Sequence, residues 1–221
     1  MSDTDRLREA YRYCETLVRV NDKDSYIASL FAPAERRPWL FALYAFALEI
    51  ARVKTVVRDP LAGMIRLQWW QEAIAGLRPE EAAANPVMLA LQDASRRSNV
   101  SLASLSAAIE ARQDELQATA PTQALSAIFA TAARFLGAGG TSILSAADHA
   151  ADALACLTSE PDAAREAYAN FRADIDQLEG IGQPAFLTVA LVPLLLTHPD
   201  APPWRRQIEM LRAAWFGFPR L

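Results

Sequence analysis

Residues 24–76, DSYIASLFAPAERRPWLFALYAFALEIARVKTVVRDPLAGMIRLQWWQEAIAG, contain the strongest structural signal of this chain. Apolar side chains recur there every three or four positions, which predicts a long helix over 38–57. The residues that follow this spacing are Leu40, Leu43, Tyr44, Ala47, Ile50 and Ala51. Asp59-Pro60 comes after the end of that helix, and Pro60 is typical of the start of another, which is predicted to run to about Ala75.

The same spacing extends through the rest of the chain. Further helices are predicted at 4–20, 24–32, 80–98, 102–119, 121–136, 142–157, 161–179, 184–197 and 203–216. Alanine and leucine are abundant, and apolar and polar residues nowhere alternate long enough to indicate a sheet. The sequence therefore predicts an all-α protein with a single domain over 1–221.

Composition excludes several classes of function. With 52% hydrophobic residues, 22% charged residues and a net charge of −4, the chain is predicted to be globular and not to bind nucleic acid. Two cysteines make neither a disulfide framework nor a zinc site, which favours a reducing, cytoplasmic location. The charged N-terminal residues do not have the pattern of a signal peptide.

The most apolar stretch is PAFLTVALVPLLL at residues 184–196. It is shorter than the ~20 residues that span a bilayer, so a buried core helix is favoured over a membrane helix. Peripheral contact with the inner face of a membrane stays open, either through this stretch or through the apolar tail residues Phe216, Phe218 and Leu221. The oligomeric state cannot be predicted.

Several short motifs in the opening stretch resemble the squalene/phytoene synthase family. They are an SFY-type element at Ser25-Tyr26, the ALYAF run around Tyr44, and IRLQWW at residues 65–70. The resemblance implies an isoprenoid-synthase-like helical bundle that joins prenyl diphosphates head to head. It also implies substrate-binding roles for family-like positions, and the candidates are Ser25, Tyr26, Arg37, Tyr44, Arg52, Lys54 and Arg66.

The first acidic motif of that family has no counterpart here. Where a DDxxD cluster would hold Mg²⁺ against the diphosphate, the same register reads Ala51-Arg52-Val53-Lys54-Thr55. Two cations at this position would repel Mg²⁺. Arg52 could pair with Glu49 at i,i+3 on the surface, or Arg52 and Lys54 could bind phosphate directly without a metal.

The remaining acidic residues are weak candidates for catalysis. Asp148 and Asp152 share a helix face at i,i+4, but the pattern DxxxD is common by chance in acidic helices. Glu110 and Asp114, like Glu49, could be remnants of a catalytic ancestor or parts of a solvated face. His149 alone has little weight as a ligand. We therefore predict no metal and no cofactor, with Mg²⁺ required only if the chain is an active enzyme.

The resemblance further points to a degenerate subgroup that includes the mitochondrial complex I assembly factor of this fold. Relative to full-length family members, the chain is predicted to be shortened by an internal deletion near 157–162. The sequence thus favours a non-catalytic protein that binds a protein partner or an apolar lipid. The alternatives are an active prenyltransferase and an unrelated helical interaction module.

Overall fold

The computed structural model describes residues 2–57, 59–116, 123–178 and 180–220. Over these ranges it contains α-helices, two 3-10 helices and no strand, so the all-α prediction is confirmed. The 3-10 helices are Leu102–Leu105 and Gly180–Leu191. The α-helices are α1 (Asp3–Asn21), α2 (Lys23–Ser29), α3 (Arg37–Val56), α4 (Pro60–Ile74), α5 (Pro79–Ala84), α6 (Pro86–Ser98), α7 (Ser106–Leu116), α8 (Gln123–Phe135), α9 (Ser142–Ala155), α10 (Pro161–Ile175), α11 (Val192–Thr197) and α12 (Pro203–Phe216).

Side-chain caps and prolines set many of the helix starts. Asp59 accepts a hydrogen bond from the Leu61 N–H, and the Pro that follows it occupies the first turn of α4. Asn85 accepts from two backbone N–H groups at the start of α6. Because Asn85 ends α5 and caps α6, the predicted helix over 80–98 is two helices and not one.

Helix α3 lies at the centre of the fold. Every residue from Leu40 to Phe46 is buried, and α3 packs against α1, α6, α7 and α8. A helix that is apolar on all sides over two turns must be surrounded by other elements, which is why this segment organises the core. The buried face of α1, with Cys14 and Val18, covers one side of it.

An aromatic cluster joins the C-terminal half of the molecule. Phe186 stacks on Phe129 of α8 at a ring distance of 5.5 Å and contacts Phe171 of α10 at 5.6 Å. Phe171 in turn meets Phe218 of the tail edge-on at 5.1 Å. The Tyr168 hydroxyl donates to the Pro219 carbonyl, which fixes the tail against α10.

The apolar stretch 184–196 forms a different kind of helix from the one predicted. It lies in the 3-10 helix Gly180–Leu191 and in α11, not in one α-helix over 184–197. Gly182 packs so closely against Ala138 that an added Cβ would lie 2.8 Å from the Ala138 Cβ. By length and composition the helical run Gly180–Thr197 could cross a membrane, but half of it is buried inside the fold. The segment is therefore better explained as part of the core.

Candidate functional site

A cavity of about 310 Å³ lies between α3, α8 and the 3-10 helix Gly180–Leu191. Its lining combines an apolar wall with a few charged groups. The lining residues are Asp22, Asp24, Ser25, Tyr44, Ala47, Leu48, Ala51, Arg112, Leu125, Ile128, Phe129, Leu154, Thr188, Leu191, Leu195 and Arg206. Concave sites with apolar walls and few polar groups are typical of pockets for small apolar ligands.

One wall of the cavity is a single face of α3. Tyr44, Ala47, Leu48 and Ala51 line it at the spacing i, i+3, i+4 and i+7, which places them side by side along the helix. Tyr44 is buried, and burial raises the pKa of its hydroxyl, so this group stays neutral. Its hydroxyl lies 3.5 Å from the Ala185 carbonyl oxygen, a weak hydrogen bond at most.

An ion pair closes one side of the cavity. Arg206 of α12 binds the carboxylate of Asp24 on α2. Burial raises the pKa of Asp24, and the Arg206 guanidinium opposes that rise. Asp22 caps α2 by accepting a hydrogen bond from the Ser25 N–H, so this second carboxylate already has a structural role.

A second ion pair lies on α7. Arg112 lines the cavity and binds Glu115, whose side chain is only 8% exposed. Both arginines that reach the cavity are thus paired with a carboxylate. Among the described residues that line the cavity, both cations are therefore already compensated, whereas a diphosphate needs strong cationic partners.

The segment predicted to stand in place of the first acidic motif presents a small apolar residue to the cavity. Ala51 lines the wall, whereas Arg52 and Lys54 are exposed and do not line it. Glu49 lies between two arginines, at 3.9 Å from Arg52 and 3.7 Å from Arg66. The predicted surface pair of Glu49 with Arg52 is therefore present, and Arg66 joins it.

The other acidic candidates lie away from the cavity. Asp148 accepts a hydrogen bond from Ser126 on α8, and Glu110 accepts from Gln71 at 3.4 Å. Neither Asp114 nor Asp152 lines the cavity. In the part of the chain that the structure describes, no three His, Cys, Asp or Glu side chains come together as a possible metal site.

Of the substrate-binding candidates, the structure brings only Ser25 and Tyr44 to the cavity. Tyr26 instead stacks on Phe41 at a ring distance of 5.4 Å. The Arg37 Nε donates to the Ala32 carbonyl at 2.9 Å, which stabilises the turn before α3. His149 contacts Asp174 at 2.7 Å, outside the cavity lining.

Comparison with known proteins identifies the family. Residues 18–133, a little over half of the chain, match the family described as squalene/phytoene synthase. The chain belongs to the squalene/phytoene synthase family. This match includes α2, α3 and α4, the helices that contain the family-like motifs and one cavity wall. None of the solved structures shows significant similarity to the chain.

Curated relatives are similar over about half of the chain. The bovine, human and rat proteins named "NADH dehydrogenase (ubiquinone) complex I, assembly factor 6" are 35%, 34% and 33% identical over 105, 104 and 108 residues. The aligned part is 48%, 47% and 49% of this chain. It spans only about a third of the relatives' own length, at 32%, 31% and 32%.

The family implies Mg²⁺, and the residues at this cavity do not fit it. Mg²⁺ prefers carboxylate oxygens in near-octahedral geometry, usually with waters and substrate phosphates. The two carboxylates in the cavity lining, Asp22 and Asp24, already cap α2 and pair with Arg206. In the register of the first motif, Ala51 contributes no oxygen from its side chain.

The charged residues that line the cavity were not identified from the sequence. Neither Arg112 nor Arg206 was among the candidates from the sequence. Asp22 and Asp24 precede the family-like Ser25 in the sequence, which is a weak signal for a cavity edge. The pairing of α12 with α2 joins residues far apart in the sequence, so no local pattern could have revealed it.

Proposed function

We propose that this chain is a non-catalytic member of the squalene/phytoene synthase family that acts as an assembly factor. The observation that carries the proposal is the geometry at the first acidic motif. Ala51 faces the cavity where the family places a carboxylate, while Arg52 and Lys54 point to solvent. Departure of a diphosphate needs electrostatic help at the leaving group, and this wall supplies none.

The names of the relatives support a component of complex I as the partner of this chain. They are named as assembly factors of an NADH dehydrogenase complex I. Residues 18–133, which match the family, contain α3 at the centre of this fold. We infer that the partner of this chain is a subunit or an assembly intermediate of such a complex. The cavity has an apolar wall and compensated charges, so a neutral apolar lipid is its favoured small ligand. We place the protein in the cytoplasm, against the inner face of the membrane.

The first test is enzymatic. We expect the purified protein, with Mg²⁺ and either farnesyl or geranylgeranyl diphosphate, to release no more pyrophosphate than a blank without protein. The reason is that the carboxylates among the described lining residues, Asp22 and Asp24, already cap α2 and pair with Arg206. A catalytically active family member assayed in parallel is the positive control. Turnover above the blank that requires both Mg²⁺ and the protein would contradict the proposal and favour the active prenyltransferase.

The second test is done in the cell that encodes the protein. Deleting the gene is expected to lower the amount of assembled complex I on native gels and the NADH oxidation rate of membranes. Complementation with the Asp148→Ala/Asp152→Ala variant is expected to restore both as well as the wild-type chain does, because these acids lie outside the cavity. An active enzyme that uses this DxxxD pair would lose complementation with the same variant. Unchanged complex I in the deletion strain would instead reject the assembly role.

A further inference from the structure

The outer face of α12 exposes a continuous apolar stripe. Trp204, Ile208, Leu211 and Trp215 are 61%, 45%, 47% and 74% exposed. Their spacing of i, i+4, i+7 and i+11 puts all four on one side of the helix. Phe216, at 85% exposure, extends the apolar surface at the C-terminal end. Single exposed apolar residues are ordinary on a protein surface, but an ordered row of this size marks a contact site.

The stripe is not the face by which α12 joins the fold. Met210 and Ala213 are buried, and they pack in the cluster with Leu187, Leu191 and Leu194. With 3.6 residues per turn, these two positions lie on the side of the helix opposite the stripe. Helix α12 is therefore apolar on two opposite sides, and the fold covers only one of them.

The charged residues of α12 indicate which kind of partner covers the exposed apolar stripe. The helix contains Arg205, Arg206 and Arg212 against one acid, Glu209, although the whole chain has a net charge of −4. Arg205 and Arg212 lie on the same flank of the stripe by helical geometry. Arg212 pairs with Glu209 at 3.4 Å, but its side chain is 67% exposed, so its guanidinium can also reach an external anion.

Aromatic residues stand at both ends of the stripe. Trp204 begins it and Trp215 ends it. Indole rings favour the boundary between headgroups and acyl chains, because their bodies are apolar and their N–H is polar. A row of apolar side chains with tryptophan at its ends and arginine on its flank is the pattern of a helix that lies in a membrane interface.

We propose that α12 is a membrane-docking helix that lies flat in the headgroup layer of an anionic bilayer. The stripe enters the acyl boundary, and the flanking arginines contact lipid phosphates. Two copies of α12 packed antiparallel and face to face would bring their arginine flanks near each other, so charge favours the lipid surface over such a pair. This inference does not depend on whether the chain is catalytic.

Vesicle co-sedimentation of the full chain tests the proposal. We expect binding to vesicles of equimolar phosphatidylcholine and phosphatidylglycerol, with weaker binding to phosphatidylcholine alone. The Trp204→Gln/Trp215→Gln variant should lose at least about ten-fold in partitioning, because the residues that enter the bilayer are removed. Arg205→Gln/Arg212→Gln should lose about ten-fold or more on the anionic vesicles only. High salt should weaken the wild type on those vesicles and leave the arginine variant nearly unchanged.

A matched control comes from α4. Leu61 and Ile65 are 66% and 64% exposed, and Leu61→Gln/Ile65→Gln changes a similar exposed apolar pair in another place. This variant should bind vesicles like the wild type. Circular dichroism and the Tm should show that every variant is folded, which is expected because none of the changed side chains is buried.

Three outcomes would overturn the proposal. One is equal binding to neutral and anionic vesicles, and another is wild-type binding by the tryptophan variant. The third is self-association in sedimentation velocity that the tryptophan variant abolishes, without vesicle binding by the wild type. That last result would assign the stripe to a second copy of the chain.

Discussion

Replacing Phe186 by alanine is expected to lower the free energy of unfolding by about 3–5 kcal/mol, the range for truncating a large buried aromatic residue. Phe186 is 0% exposed and contacts Phe129 and Phe171 at ring distances of 5.5 and 5.6 Å. The change removes these contacts and leaves a cavity where α8, α10 and the 3-10 helix Gly180–Leu191 meet. Urea denaturation followed by circular dichroism measures the loss.

A control for this prediction is available in the same residue type. Phe216→Ala removes a ring that is 85% exposed, so its effect on the free energy of unfolding should stay within about 0.5 kcal/mol. If Phe186→Ala were as mild as Phe216→Ala, the aromatic cluster could not be the centre of the C-terminal half. The difference between the two variants in the free energy of unfolding is more informative than either value, because both replace one phenylalanine by alanine.

The helices that sequence predicts best are those whose ends have local causes. Helix α12 was predicted over 203–216 and begins and ends at those residues. A proline begins it, and Gly217, with a φ of +83°, ends it in a conformation that glycine adopts at no steric cost. Helix α3 was predicted to within one residue at each end, since its apolar spacing is long and uninterrupted.

Elements shaped by tertiary contact were predicted less well. The run 184–197 is apolar enough to fit either helix type, so its sequence does not distinguish the observed 3-10 helix Gly180–Leu191 and α11 from one α-helix. The predicted helix over 102–119 begins as the 3-10 helix Leu102–Leu105 before α7. Residues 117–119 of that prediction lie outside the described residues.

The candidate site also has one part that could be predicted from the sequence and one part that could not. The α3 wall could be predicted, because Tyr44, Ala47 and Ala51 belong to the apolar spacing of one helix. The charged edge could not, since the partners Asp24 and Arg206 lie on the second and the last α-helix of the chain. Motif resemblance gave the right family but a set of residues that mostly pack or pair elsewhere. A family motif preserves the fold of a segment even where its side chains no longer meet a ligand.

The ion pair on α7 leads to the second large expected effect. Replacing Glu115 by alanine should lower the free energy of unfolding by about 3 kcal/mol, the low end for breaking a buried pair by removing one partner. Glu115 is 8% exposed, and Arg112 keeps 20% of its side chain exposed, which limits the cost. The Arg112 Nε is already buried without a hydrogen-bond partner among the described residues, so the guanidinium would lose its main compensation.

A double replacement separates two contributions to stability. One is the cost of leaving the Arg112 charge unpaired, and the other is the net stabilisation by the Arg112–Glu115 pair. Arg112→Met/Glu115→Leu removes both charges and keeps apolar volume, so its stability should return close to that of the wild type. Arg165→Ala breaks a solvent-exposed pair with Asp162 and should change stability far less than Glu115→Ala. If the double variant were as unstable as Glu115→Ala, the pair itself would stabilise the fold. In that case the charges beside the cavity would stabilise the fold. Recovery of stability in the double variant would instead mean that both charges can be removed without losing the fold.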